Sequence, residues 1–125
     1  MTTAIRIIIG HTTLHGEIFD TECAKQIIEH LPIVAIPNEW GDEFYFEIPV
    51  GAPLDATATT KVKAGDIGYW PPGNAMAIFF GPTPMSTGSD PVPASAVNLV
   101  GRLTDDVTVL RQEKGAGKIT IESAR

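Results

Sequence analysis

Short apolar runs that end at glycine or proline recur along the chain and predict a mostly β structure. Residues 4–9 are β-branched and stop at Gly10, which is typical of a buried or half-buried strand. Residues 43–48 alternate between apolar and polar side chains, so they predict a strand with one face in the core and the other in water. The same signals predict further strands at 14–19, 33–36, 61–64, 75–80, 96–103 and 118–121, and a brief one within 65–73.

One segment, residues 20–31, has helical periodicity. Its apolar side chains fall on a single stripe made of Ala24, Ile27, Ile28 and Leu31. Asp20 or Thr21 is expected to cap the first turn, because a side-chain oxygen there accepts a free backbone N–H. Pro32 ends the helix by excluding the helical conformation from the residue before it. A second, shorter helix is predicted at residues 105–110.

These elements predict a closed, mainly antiparallel β-barrel of about eight strands with one or two short helices. Closing the sheet removes the unpaired strand edges, and the helix at 20–31 is expected to cover one open end of the barrel. An open sandwich is the other architecture that the pattern allows. The chain has 125 residues and shows neither a repeat nor a linker, so residues 1–125 are expected to form a single domain.

The charge and the cysteine content narrow the classes of partner and location. The formal net charge is −6 and no basic cluster offsets it, so neither nucleic acid nor an anionic membrane is expected as a partner. The single cysteine, Cys23, cannot form an internal disulfide. The apolar run at residues 7–9 is too short for a signal peptide or a membrane span, and a cytoplasmic location is therefore expected.

Three longer strings carry a family resemblance: NEWGDEFYF at 38–46, GDIGYWPPG at 65–73 and PASAVN at 93–98. With the order of hairpin, helix and strands, the chain resembles the small cyclophilin-like proteins of bacteria and archaea, whose function is unassigned. Residues 77–85 and 97–103 also resemble the Gln-Phe-Phe and His-Val-Val-Phe-Gly strands of the cyclophilins themselves. The resemblance covers nearly the whole chain and implies the cyclophilin-like barrel.

The chain departs from the cyclophilins in the polar residues of their active site. Cyclophilins carry an arginine on the strand after the first helix, where it hydrogen-bonds the proline carbonyl. Here residues 33–50 contain neither Arg nor Lys. The family's Gln, Trp and His are replaced by Ile78, Met85 and Val97, whereas Phe80 keeps the aromatic residue that lines the proline pocket. The resemblance therefore implies prolyl isomerase activity that is weak or absent.

The family positions and the tight turns beside both Trp residues predict one apolar cleft with an acidic rim. We expect its lining to be Trp40, Phe46, Tyr69, Trp70, Phe80 and Met85, with Glu39 and Glu43 at the rim. Small-ligand sites have this make-up, and the alternative is that the aromatic residues are simply barrel core. The spacing of His11, His15 and His30 does not suit a metal site, and no glycine-rich phosphate loop is present. Neither a metal nor a cofactor is therefore expected.

Three functions fit these features. The first is a binding module that presents the cleft to a small molecule or a peptide. The second is an enzyme, either a residual prolyl isomerase or an amide-processing activity that uses Glu39 or Glu43. The third is a subunit whose aromatic patch binds another protein. The sequence leaves the oligomeric state open.

Overall fold

The computed structural model describes residues 1–124 and consists mainly of antiparallel β-structure, which confirms the predicted fold class at that level. Its strands are β1 (Thr3–Ile9), β2 (Thr12–Ile18), β3 (Ile33–Ala35), β4 (Asn38–Glu39), β5 (Glu43–Glu47), β6 (Ala58–Thr59), β7 (Asp66–Trp70), β8 (Ala75–Phe79), β9 (Val97–Leu103) and β10 (Ile119–Ser123). Its helices are α1 (Glu22–Glu29) and two 3-10 helices, Pro71–Gly73 and Val107–Glu113. Within residues 1–124, no helix has the length and apolar character needed to cross a membrane.

The strands form one curled sheet in the order β3-β10-β1-β2-β9-β7-β8-β5-β4, with β6 paired beside β9. The two end strands, β3 and β4, are consecutive in the chain and are separated only by Ile36 and Pro37. Within the described residues they pair with β10 and β5 but not with each other, so the sheet is open and the predicted closed barrel is wrong. Pro37 has no N–H to give to a ladder, so the would-be closing strand divides into two short ones.

The sheet buries side chains on both of its faces, in two separate clusters. Its inner face and α1 enclose the main core, to which β1 contributes Ile5, Ile7 and Ile9, all fully buried. On the outer face lies a smaller cluster made of Val62, Ala77, Phe79 and Val97. Strand β8 is buried at every position because it lies between the two clusters.

Helix α1 is shorter than the segment predicted for it but begins at one of the two predicted caps. The Thr21 side chain accepts a hydrogen bond from the backbone N–H of Ala24 at 3.3 Å. Ala24 and Ile27 are fully buried in the main core, as the apolar stripe predicted. The helix ends at Glu29, whereas the pattern extended to residue 31.

Two other local predictions are corrected. Residues 61–64 form no strand, because their backbone donors are used locally: Lys63 N–H bonds to the Asp66 carboxylate at 2.8 Å and Lys61 N–H to the Thr59 hydroxyl at 2.9 Å. The strand in this region is β6, two residues long. The helix predicted at 105–110 is the 3-10 helix Val107–Glu113, which Asp106 caps.

The two neighbouring isoleucines of α1 provide a matched test of how the helix is oriented. Replacing the fully buried Ile27 by Ala is expected to lower the free energy of unfolding by about 2–5 kcal/mol, since it removes core contacts and leaves a cavity. The same change at half-buried Ile28 is expected to have a clearly smaller effect. Urea unfolding of both variants measures the difference. Equal losses of unfolding free energy in the two variants would contradict an orientation of α1 that buries Ile27 more deeply than Ile28.

Candidate functional site

A cleft opens on the outer face of the sheet, where the segment that leads into β9 passes over β5 and β7. Its volume is about 140 Å³. That is roughly the size of an engineered cavity of about 150 Å³ that binds benzene. The cleft is lined by Trp40, Glu43, Tyr45, Trp70, Pro93, Ala94 and Val97.

Strand β5 places one acidic and one aromatic side chain in the cleft through its alternation. Phe44 is fully buried in the main core, so Glu43 and Tyr45, on either side of it, point to the outer face. Across the ladder, Glu43 pairs with Phe79 and Tyr45 with Ala77, which are buried members of the outer cluster. An apolar floor therefore lies beside the Glu43 carboxyl group.

A tight turn between β4 and β5 places Trp40 beside Glu43. The backbone N–H of Trp40 donates a hydrogen bond to the backbone carbonyl of Glu43 at 3.0 Å. Gly41 has a positive φ of 60°, and a Cβ there would lie 2.8 Å from the Cα of Thr83. Both the backbone conformation and the close approach therefore require glycine at this position.

An ion-pair network attaches this turn to the end of the second 3-10 helix. The Asp42 carboxylate accepts hydrogen bonds from Arg111 at 2.9 Å and from Lys114 at 2.8 Å. Burial raises the pKa of Asp42, but the hydrogen bonds and charges of the two cations outweigh it, so the net pKa lies below its ordinary value. Glu39 adds a further link by accepting a hydrogen bond from the Gly115 N–H. The network fixes the turn that carries Trp40 and Glu43.

Trp70 forms the opposite wall and is held at both ends of its indole. Its ring N–H donates a 2.7 Å hydrogen bond to the Ser95 hydroxyl, in the segment that covers the cleft. A Cβ at Gly73 would lie 2.9 Å from the indole ring, so glycine lets the 3-10 helix pack directly against it. With its N–H already bonded, Trp70 presents mainly apolar ring surface to the cleft.

Glu43 is the unusual residue of the site. It is only 7% exposed, and one carboxyl oxygen, Oε1, is buried with no hydrogen-bond partner among residues 1–124. Desolvation by burial raises the pKa of Glu43 to about 7 from its ordinary value of 4.5. Native proteins rarely leave a buried polar atom unpaired, so this oxygen marks a position where a partner is missing.

The structure brings together some of the residues predicted for the cleft and separates others. Trp40, Glu43 and Trp70 line it. Phe46, Tyr69 and Phe80 lie in the main core instead. Met85 is exposed, and Glu39 is exposed and bonded to Gly115.

Strand alternation explains why three aromatic residues face the core. Phe46 follows Tyr45, and Tyr69 precedes Trp70, so each member of a pair faces the opposite side of the sheet. The Tyr69 hydroxyl donates to the Val50 carbonyl at 2.7 Å, deep in the fold. Phe80 packs against Phe44 with ring centroids 4.8 Å apart, and its neighbour Phe79 faces the outer cluster beneath the cleft.

Four lining residues were not predicted, namely Tyr45, Pro93, Ala94 and Val97. The signal for Tyr45 was present in the sequence, because alternation places it on the same face as Glu43. The other three belong to the string at 93–98 that carried the family resemblance. No local pattern indicates that this string lies over β5 and β7, since that depends on the path of a long irregular loop.

The described part of the chain offers no second cluster with obvious chemistry. Among residues 1–124, no three His, Cys, Asp or Glu side chains are grouped so that they can hold a metal ion. Cys23 is buried, and desolvation raises the pKa of its thiol, which disfavours the reactive thiolate. His15 forms an exposed pair with Asp105 at 3.2 Å.

Comparison with known proteins complements this geometry. The model of the cyclophilin-like family matches residues 3–122. The solution structure of the hypothetical protein AF2241 from Archaeoglobus fulgidus is 32% identical, with a TM-score of 0.81 over 98% of this chain and 95% of that chain. McbB, whose structure was solved in complex with tryptophan, has a TM-score of 0.70 at 14% identity, over 96% of this chain and 44% of its own, and shows the fold alone. A search of curated proteins gave no match.

The raised pKa of Glu43 predicts how stability depends on pH. Between the ordinary value of 4.5 and about 7, the folded chain binds more protons at Glu43 than the unfolded chain, so the free energy of unfolding falls as pH rises. Glu43→Gln removes this loss. Its free energy of unfolding, relative to that of the wild type, is expected to rise by roughly 3 kcal/mol as the pH increases from about 4 to about 8.5.

Urea unfolding at both pH values measures this gain. Glu47→Gln is the matched control, because Glu47 lies on the same face of β5 but is exposed. A pH dependence that is the same in the wild type and in Glu43→Gln would show that Glu43 is not desolvated.

Proposed function

The chain belongs to the cyclophilin-like family, and within that fold we propose that it is a binding module whose outer-face cleft takes a small molecule or a single side chain of a peptide. The observation that carries this proposal is that Glu43 lines an aromatic-walled cleft while one of its carboxyl oxygens is buried without a partner among residues 1–124. A buried carboxyl group without a partner costs about 1–3 kcal/mol, and a ligand that donates a hydrogen bond to it recovers part of that cost. The lining has the make-up of small-ligand sites, mostly apolar with one well-placed polar group.

Support also comes from the way the walls are held. Asp42 anchors the turn that carries Trp40, and the hydrogen bond to Ser95 anchors Trp70. A cleft whose walls are fixed before the ligand arrives loses less conformational entropy on binding. The cleft itself has room for about one small ring, and the rest of a larger ligand would lie outside it.

A residual prolyl isomerase is a weaker candidate, because no arginine lines the cleft within the described residues. Arg6 pairs with Glu122 at 2.8 Å, and Arg102 pairs with Glu17 at 3.3 Å. Arg111 is used by Asp42. The remaining arginine, residue 125, lies outside the described residues.

One observation favours catalysis as a second candidate. A carboxyl group with a pKa of about 7 can both accept and donate a proton near neutral pH, which suits a general acid–base catalyst. Among the described residues, the lining of the cleft holds no second polar group of comparable burial that would serve as nucleophile or oxyanion donor. Binding is therefore the function that the geometry supports best.

A neutral fragment library, screened by NMR with ¹⁵N-labelled protein, tests the binding proposal. Hits are expected to shift the indole signals of Trp40 and Trp70 together, because both rings line one cleft. Trp70→Ala is expected to weaken these hits at least tenfold, since it removes one wall, while Met85→Ala, at an exposed position outside the cleft, is expected to leave them unchanged. Shifts scattered elsewhere, or none, would contradict the proposal.

Prolyl isomerase activity is expected to be at most slight. The rotation barrier of the peptide bond is about 18–20 kcal/mol, and the described part of the chain places no cationic donor in the cleft to lower it. NMR exchange measured on a proline-containing peptide, with an active cyclophilin as positive control, tests this. Strong acceleration that disappears in Trp70→Ala would overturn the expectation and identify the cleft as an isomerase site.

A further inference from the structure

Glu43 is buried, and within residues 1–124 no countercharge contributes to its pKa. The neighbouring residue Asp42 has two cations, Arg111 and Lys114, and both are bound to its carboxylate. The lining of the cleft contains no Lys, Arg or His among the described residues. A positive charge for Glu43 therefore has to arrive with the ligand.

The walls of the cleft suit the same kind of charge. Trp40, Tyr45 and Trp70 supply three aromatic side chains in a space of about 140 Å³. Aromatic faces attract ammonium groups through their electron-rich π-systems, most strongly in the case of Trp and when water is excluded. Rings and carboxylate therefore favour a cation through two separate interactions.

Other classes of ligand fit less well. An anion would meet the buried Glu43 carboxyl group and a chain whose formal net charge is −6. A metal ion needs several hard or nitrogen ligands, whereas Glu43 is the only carboxylate in the lining, within the residues described. Whatever the size of the whole ligand, the part inside the cleft has room for roughly one six-membered ring.

Resting on the proposed binding function, we propose that the cleft binds a small organic cation, an amine in its protonated form on a compact apolar body. Its ammonium group donates hydrogen bonds to the Glu43 carboxylate, and its apolar body packs between the rings of Trp40 and Trp70. The apolar floor formed by Ala77 and Phe79 excludes water from below.

Binding of such a cation depends on the charge of Glu43. The titratable groups on the elements around Glu43 are Tyr45 and Glu47 on β5 and Asp42 in the turn, and Asp42 is paired with Arg111 and Lys114 at the end of the second 3-10 helix. The residues that β8, β7 and the covering segment contribute are uncharged, namely Phe79, Ala77, Trp70, Pro93 and Ala94. The raised pKa of Glu43 arises from desolvation, with no charged neighbour contributing. Acid pH therefore protonates Glu43 itself and removes the attraction.

Benzylamine and benzyl alcohol are matched probes, because they share one ring and differ in the charge of the polar group. NMR titration that follows the Trp40 and Trp70 indole signals measures both affinities. At about pH 8.5 benzylamine is expected to bind at least tenfold more tightly than benzyl alcohol, because its ammonium group forms a charge-assisted hydrogen bond. At about pH 5.5 only a small fraction of Glu43 is ionised, so benzylamine affinity is expected to fall roughly thirtyfold while that of benzyl alcohol changes little.

Two variants separate the role of Glu43 from general charge. Glu43→Gln is expected to abolish the preference for benzylamine and to keep benzyl alcohol binding, whereas Glu47→Gln is expected to keep the preference. Equal affinities for both probes in the wild type would overturn the cation proposal and leave the binding function intact. No binding of either probe, with neutral fragments still shifting both indoles, would also overturn the cation proposal alone. No binding of any compound would overturn both.

Discussion

Burial of β8 on both faces is the constraint on which the rest of this structure depends. A strand with no wet face needs apolar cover on each side, and the chain supplies two different covers. The main core covers the inner face, and the outer cluster with Val62 and Val97 covers the other. The outer cover stops beside Trp70 and Tyr45, and the cleft is the space where it stops. The cleft therefore forms where the apolar cover on the outer face of the sheet ends.

Two neighbouring acidic residues show how strongly local surroundings decide charge. Asp42 is the last residue of the turn and Glu43 the first of β5, and Asp42 is partly buried whereas Glu43 is buried. Asp42 has two cations, which hold its pKa low, whereas Glu43 has an apolar floor and a pKa of about 7. The Asp42 carboxylate stabilises the turn, whereas ionisation of Glu43 costs free energy because its carboxyl group is desolvated. Such a division between a structural and an unsatisfied group is typical of functional sites.

Periodicity was informative wherever one face of an element is wet, and failed where both faces are buried. It identified β1, β5 and α1, including the Thr21 cap and the stripe with Ile27. It gave no way to tell which of Phe79 and Phe80 faces the cleft side, because both neighbours are equally apolar and buried. Closure of the sheet was mispredicted because it depends on which strands pair on either side of Pro37, and those pairings are long-range. The family resemblance identified the fold, and Trp40, Glu43 and Trp70 came from strings that this resemblance singled out.

The interruption at Ile36 and Pro37 also determines what the free edges of the sheet look like. An open sheet has two free edges, and at one of them the exposed apolar residues are Val34 in β3 and Ile36 directly after it. A long, flat edge of that kind is a template for aggregation. Here the edges are only three and two residues long, and a proline without an N–H lies between them. The break that leaves the barrel unclosed also keeps each free edge short, and a short edge is one of the ways in which proteins disfavour pairing with another chain.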